Sequence, residues 1–289
     1  MGVGDLKAVL PIAGLGTRML PATKEQPKEM LPIFTRTTNN SLCVKPILQL
    51  IYEQLYDAGM REFILVVGRG KRAVEDHFTP DYSYLELLRS HGSSLLRDFE
   101  DFYKRINSSV MVWINQPKPL GFGHAVLLCE RSVGSSSFLV HAGDTYIVNG
   151  REIVETMCRI FEEGDAEALL LLQEVDDPRQ YGVAVVEGDG EKLKVVRVVE
   201  KPDAPPSNLS IVPLYIFRGS IFRALKTVGP GAGGEIQLTD GIQRLIEWGH
   251  RVEALRLVGR VKLDIGSPLL YWEALKLSYQ LSVGGIGNT

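Results

Sequence analysis

Up to Val175 the chain alternates short apolar blocks with amphipathic stretches, and this alternation limits its folds more than any other feature. Lys7–Ala13, Glu62–Val67, Val110–Asn115, Ser137–Ala142 and Ala168–Val175 are blocks long enough for a strand and too short for a helix. Between them, Pro46–Ala58 places Ile47, Leu48, Ile51 and Leu55 at helical spacing, with Pro46 suited to its first turn and Gly59 to its stop. His124–Arg131 and Arg151–Glu163 also read as helices. A strand that is apolar throughout is buried on both faces. Strand–helix alternation therefore predicts an α/β fold with a Rossmann-like, mostly parallel central sheet and helices on both faces. Beyond Asp177, Tyr181–Val186, Lys194–Glu200 and Ile211–Phe217 are linked by Gly/Asp and Pro/Ser turns, which predicts a small antiparallel portion. Helices return at Ser220–Lys226, Thr239–Trp248 and Ser267–Leu281, the last with Ser267 as cap and Pro268 in its first turn. A charged helical insertion is expected over about 79–109, a polar loop over Thr35–Asn40 and a disordered tail over Gly284–Thr289. With no internal repeat and no Pro/Ser-rich linker, residues 1–289 are expected to form a single domain.

Charge narrows the function. Lys and Arg number 32 against 35 Asp and Glu, a net of -3, which argues against nucleic acid or a membrane surface as partner while leaving room for a local basic pocket. No apolar run approaches the ~18 residues of a membrane span. The first residues lack a basic segment with an apolar stretch behind it, so no leader is read and a cytoplasmic location is expected. Cys43, Cys129 and Cys158 are odd in number and form no Cys-x-x-Cys. They are read as buried or incidental thiols rather than metal ligands or a disulfide framework.

Five segments have the composition of a site. Ala13-Gly14-Leu15-Gly16-Thr17-Arg18 follows the first strand. Glycines there let several backbone N–H groups meet one anion, Arg18 adds a fork matched to phosphate oxygens, and Lys24 and Lys28 lie further along the loop. It is neither a Gly-x-Gly-x-x-Gly nor a Walker A motif. Ala142-Gly143-Asp144 ends an apolar strand with a carboxylate suited to a divalent cation, or with a simple turn. Lys262-Leu263-Asp264-Ile265-Gly266 repeats that pattern before a capped helix, and the two aspartates either share a metal or serve as cap and turn. Glu200-Lys201-Pro202 closes an apolar strand with a sugar-hydroxyl acceptor and a phosphate-binding cation, or with a solvated strand end. Gln116 to Ala125 offers an amide and a Gly-rich turn that suit a nucleobase edge, or a plain Pro/Gly loop in which His124 starts a helix.

Taken together, KAVLPIAGLGTRMLPATKEQPKEMLPI, PLGFGHAV, AGD, QYGV, VVEKP, PSNLSIV, GEIQLTD and LDIG, in this order, resemble the sugar-nucleotide pyrophosphorylases. Within them the chain is most similar to the bacterial-type UDP-glucose pyrophosphorylases (UTP–glucose-1-phosphate uridylyltransferases), and the likeness runs from Leu6 to Leu281. The helical insertion favours that branch over the thymidylyltransferases. Asp264-Ile265-Gly266 stands closer to the latter, Pro213 replaces a Gly usual beside the sugar site, and the Phe34–Val44 loop carries extra polar residues. The resemblance implies one nucleotidyltransferase domain of GT-A-like fold that uses UTP, glucose-1-phosphate and Mg2+, and assembles as a homo-oligomer (dimer or tetramer). It further implies that Ala13, Gly14, Gly16, Thr17, Gln116 and Gly121 bind the nucleotide, and that Gly182, Glu200 and Val212 bind the sugar. Arg18, Lys28 and Lys201 would neutralise phosphate, and Asp144 and Asp264 would hold the metal.

Overall fold

The computed structural model describes residues 6–284, so most of the expected disordered tail lies outside the described residues. The chain opens with β1 (Lys7–Pro11), a hairpin of β2 (Pro32–Arg36) and β3 (Leu42–Pro46), α1 (Ile47–Asp57) and β4 (Glu62–Val67). It continues through α2 (Arg72–His77), α3 (Tyr82–Ser90), α4 (Leu96–Asn107), β5 (Val110–Asn115), α5 (Phe122–Leu127), α6 (Glu130–Val133) and β6 (Phe138–His141). Then come β7 (Thr145–Ile147), α7 (Arg151–Glu163), β8 (Ala168–Glu174), β9 (Gly182–Glu187), β10 (Lys192–Glu200) and β11 (Leu209–Phe217). The last elements are α8 (Ser220–Leu225), α9 (Leu238–Glu247), β12 (Val252–Arg256), β13 (Lys262–Asp264) and α10 (Pro268–Val283), which Ser267 caps through its side chain as expected.

Among the described residues, nine strands form one sheet in the order β5-β4-β1-β6-β11-β8-β12-β10-β9. The expectation of a mostly parallel sheet is wrong. β5–β4, β4–β1, β1–β6 and β8–β12 are parallel, whereas β6–β11, β11–β8, β12–β10, β10–β9 and β9–β11 are antiparallel. Because β9 returns to β11, strands β11, β8, β12, β10 and β9 close into a small barrel beside a parallel wing. The reason is physical. An apolar run reports burial on both faces and carries no information about the direction of its neighbours. β8 has the sense expected from its run, but β11 is wedged between it and β6, so the antiparallel portion occupies the middle of the sheet.

Alternation across the sheet divides the interior into two layers. Ala8 and Leu10 face the core covered by α1, α7 and α10, while Val9 faces the core under α5, α8 and α9. Thr35–Asn40 is part of a hairpin rather than only a loop. Thr37 and Ser41 pair across its tip, where Asn40 is left-handed at φ 63°. The second insertion helix reaches it, where the buried Asp98 of α4 accepts the Thr38 N–H at 3.1 Å. Burial pushes the Cys129 and Cys158 thiols up to about 12, in keeping with inert buried sulfurs. No helix among the described residues is long and apolar enough to cross a membrane.

Candidate active site

The candidate residues sit at carboxyl ends of the parallel strands, on the antiparallel pair β7–β13 and around the start of β9. β1 leads into Ala13 and Gly14. Gly16 turns the chain back at φ 65°, a left-handed conformation that favours glycine, and its carbonyl accepts the Thr23 hydroxyl at 2.8 Å. That turn starts the short helical segment Thr17–Met19, on which Met19 is buried and Thr17 and Arg18 face solvent.

Charges converge below the loop. The Lys28 ammonium, one helical turn before β2, contacts the Asp144 carboxylate. Burial opposes the charge on each. Asp144 and Glu29 nevertheless hold Lys28 above its usual range, and Lys28, with Arg18 further off, holds Asp144 below the usual carboxylate range. Glu29, next in sequence, faces inward and pairs with buried Lys71 at 2.6 Å. Asp264 lies across the antiparallel pair from Thr145, and the Ile265 N–H donates to the Asp144 carbonyl at 3.2 Å. Burial and the neighbouring Asp144 push the Asp264 carboxyl up. The Arg18 guanidinium reaches Gly266, where a Cβ would come within 3.3 Å of it. Among the described residues no three His, Cys, Asp or Glu side chains are grouped so that they could hold a metal ion. The donor set on offer is two mutually repelling carboxylates. That suits a hard divalent cation whose remaining ligands are phosphate and water oxygens.

On the barrel side, Glu200 ends β10 with its carboxylate mostly shielded. It accepts the Thr239 hydroxyl at 2.6 Å and lies 3.3 Å from the Lys201 ammonium. A Cβ at Gly182 would sit 3.1 Å from the Thr239 hydroxyl and 3.2 Å from that carboxylate, so the glycine leaves room for their contact. Lys201 adopts φ 40°, and its N–H donates to the Tyr181 carbonyl at 3.0 Å. Val212 is buried and lies next to the irregularity in β11 before Tyr215. At the opposite end, buried Gln116 donates its amide to the Gly121 carbonyl at 3.2 Å and to His124 Nδ1 at 2.8 Å. That places the His124 proton on Nε2 and fixes the Gln116 amide orientation. Gly121, at φ 106°, is required both by its conformation and because a Cβ would meet the Ile236 carbonyl at 2.7 Å.

Arg18, Lys28, Asp144 and Asp264 thus lie together, with Gly182, Glu200 and Lys201 forming a second group and Gln116 and Gly121 a third. Lys24 is exposed beside Glu25 and belongs to none of them. Glu29, Lys71, Tyr181, Thr239 and Lys262 are the residues that sequence reasoning missed. Thr239 lay inside the GEIQLTD stretch and Tyr181 inside QYGV, whereas nothing in the sequence set Lys71 apart.

Residues 7–280 match the nucleotidyl transferase family model. A UTP–glucose-1-phosphate uridylyltransferase of Bacillus subtilis is 36% identical over 270 residues, covering 91% of this chain and 86% of its own length. Its counterpart from Mycoplasma pneumoniae is 35% identical over 271 residues, covering 90% and 88%. Among solved structures, an apo UDP-glucose pyrophosphorylase superposes with a TM-score of 0.85 at 29% identity, covering 95% of this chain and 98% of that one. A UTP-bound enzyme of the same name from Acinetobacter baumannii does so with a TM-score of 0.78 at 31% identity, covering 98% and 95%.

Proposed function

Because the chain belongs to the nucleotidyl transferase family, we propose that it joins UTP to glucose-1-phosphate, giving UDP-glucose and pyrophosphate. The observation that carries this reading is the meeting of Arg18, Lys28, Asp144 and Asp264 beneath the Gly14–Gly16 loop. A phosphate oxygen of glucose-1-phosphate attacks the α-phosphorus of UTP in line. A new P–O bond forms as the bond to the β-phosphate oxygen breaks, and pyrophosphate leaves with that electron pair. The attacking oxygen is already anionic near neutral pH, so no general base is needed. What the protein supplies is position and neutralisation.

Ala13 and Gly14 backbone groups, Gln116 and Gly121 read the uracil, and Gly16 and Thr17 hold the triphosphate. Arg18 faces the leaving pyrophosphate, and Lys28 and Lys201 hold phosphate oxygens. Gly182, Glu200 and the Val212 backbone receive the glucose. Asp144 and Asp264 would hold Mg2+, which would neutralise and orient the phosphates. The Lys28 ammonium, now on Asp144, is placed to contact phosphate as well. Assembly as a dimer or tetramer is part of the same proposal, and exposed Leu269 and Trp272 on α10 are compatible with it.

The test is a panel of nucleoside triphosphates and sugar phosphates scored by pyrophosphate release with and without Mg2+, run beside Asp144→Asn. UTP with glucose-1-phosphate should lead the panel, and the variant should lose roughly 100- to 1000-fold in turnover. Near-normal turnover of Asp144→Asn would remove the metal role. A preference for dTTP would move the enzyme to the thymidylyl branch. Lys201→Ala should weaken use of glucose-1-phosphate far more than use of UTP, and equal effects would count against its role.

A further inference from the structure

β13 has a side-chain period of two, so Lys262 shares a face with Asp264 while Leu263 turns into the core. That face is the one toward the site. The Lys262 ammonium lies 4.8 Å from the centroid of the Tyr181 ring, with Asp264 and Asp144 both close enough to act on its charge. Tyr181 in turn joins the two groups of site residues. Its carbonyl accepts the Lys201 N–H at 3.0 Å, Gly182 follows it in sequence, and the charges of Asp264 and Arg18 both reach its hydroxyl. Lys262 therefore stands between the paired aspartates and the sugar-side residues.

Other lysines in the same region already have an anion. Lys28 is on Asp144, Lys71 on Glu29 and Lys201 within 3.3 Å of Glu200. Lys262 differs. It is half-buried, and among the described residues its ammonium has no carboxylate within 4.0 Å, only the face of an aromatic ring. An ammonium removed from much of its water and resting on a ring is still short of a strong acceptor. The two aspartates cannot fill that role while they hold a cation of their own. A phosphate placed between the nucleotide's α-phosphorus and a sugar bound at Gly182 and Glu200 fills it.

We propose that Lys262 is a phosphate-binding residue for the sugar 1-phosphate, seated on Tyr181 so that it grips the non-attacking oxygens of the incoming nucleophile. This rests on the reaction proposed above. Lys262 and Lys201 then approach the same phosphate from β13 and from the end of β10, leaving Lys28 and Arg18 to the triphosphate.

The experiment is steady-state kinetics of Lys262→Met and Lys262→Arg with each substrate varied in turn, together with equilibrium binding of glucose-1-phosphate alone. Lys262→Met should raise the KM for glucose-1-phosphate roughly 10- to 100-fold, the scale of one charge-assisted contact, and leave the KM for UTP within about twofold. Binding of glucose-1-phosphate should weaken in parallel, and Lys262→Arg should recover part of both. Tyr181→Leu, which removes the ring, should follow Lys262→Met more closely than Tyr181→Phe, which keeps it. If the methionine variant does not fold, Lys262→Gln serves the same comparison. Equal effects on both substrates, or none on either, in an active wild-type background would overturn the role of Lys262 alone. A wild-type enzyme that releases no pyrophosphate from this pair would overturn the reaction, and the proposal with it.

Discussion

On the wing side of the site, built on β1, β4, β5 and β6, functional side chains are fixed by opposite charges below the surface, Lys28 on Asp144 and Glu29 on Lys71. On the barrel side, fed by β9, β10 and α9, they are fixed by weaker and more local means. There a threonine hydroxyl meets Glu200, a tyrosine ring carries Lys262, and Lys201 sits in a left-handed backbone conformation. The difference fits the roles proposed for each side. A triphosphate would bring several negative charges to the wing and call for cations held in place by buried carboxylates. A sugar phosphate would bring hydroxyls and one phosphate, for which a shielded acceptor and a cation short of an anion suffice. A charge withdrawn from the wing should therefore destabilise the fold. A contact withdrawn from the barrel should alter substrate use with less effect on stability.

Lys71→Met tests the first half and has the largest expected effect. It leaves the buried Glu29 carboxylate without its cation, which should destabilise the fold by about 3–5 kcal/mol. Melting should fall by on the order of 10 °C by thermal denaturation. Adding Glu29→Gln should restore most of that, because removing both charges is far less costly than removing one. A loss under about 1 kcal/mol would mean that the wing does not depend on buried charge.

How much of this arrangement could be read from sequence differs between the same two sides. Arg18, Lys28, Asp144 and Asp264 were all legible, because strand-end glycines and aspartates mark where a chain leaves a sheet. Their partners were not. Lys71 lies just ahead of α2, remote in sequence from Glu29, and only the close packing of that region over the loop after β1 brings them together. The elements themselves are nearly all legible, except α2, the β2–β3 hairpin and the short β7 and β12. The direction and order of strands were not, because burial is written in composition and pairing is decided by distant segments. Lys262 was overlooked although it lies two residues before a predicted ligand. A single lysine on a three-residue strand has no pattern, and only the ring of Tyr181 makes it unusual.

Thr239→Val tests the second half. Valine has nearly the shape of threonine and removes only the hydroxyl that Glu200 accepts at 2.6 Å. A hydrogen bond to a charged group contributes about 1.5–3 kcal/mol. Freed of it, the carboxylate should swing toward Lys201, 3.3 Å from its other oxygen, and out of register with the sugar. The KM for glucose-1-phosphate should rise by roughly tenfold, with the KM for UTP little changed and a smaller fall in melting temperature than Lys71→Met gives. An equal rise in both KM values would place Thr239 in the general packing of α9 rather than in the sugar site.

The smallest effect should be the most discriminating, because it splits the two aspartates. Asp144 is held below the usual carboxylate range: burial opposes its charge, but Lys28 outweighs burial. It therefore contributes stability that is present above the ordinary carboxylate pKa and lost as pH falls through its lowered value. Asp264 is pushed above that range, by burial first and then by Asp144. The stability linked to its protonation is present below the ordinary pKa and lost as pH rises through the raised value, so at neutral pH its charge works against the fold. Asp144→Asn should thus melt below wild type at pH 7, and Asp264→Asn above it, although both lose turnover. The gain from Asp264→Asn should vanish once pH drops below the ordinary carboxylate range, where wild-type Asp264 is itself neutral. Asparagine keeps the oxygen that accepts the Gly266 N–H at 2.7 Å, so the comparison isolates the charge. Adding Mg2+ should raise the melting temperature of wild type more than that of Asp264→Asn, since only wild type carries two repelling carboxylates for the cation to reconcile. Melting curves at pH 7 and in acid, with and without Mg2+, would expose the idea as wrong if both variants moved in the same direction.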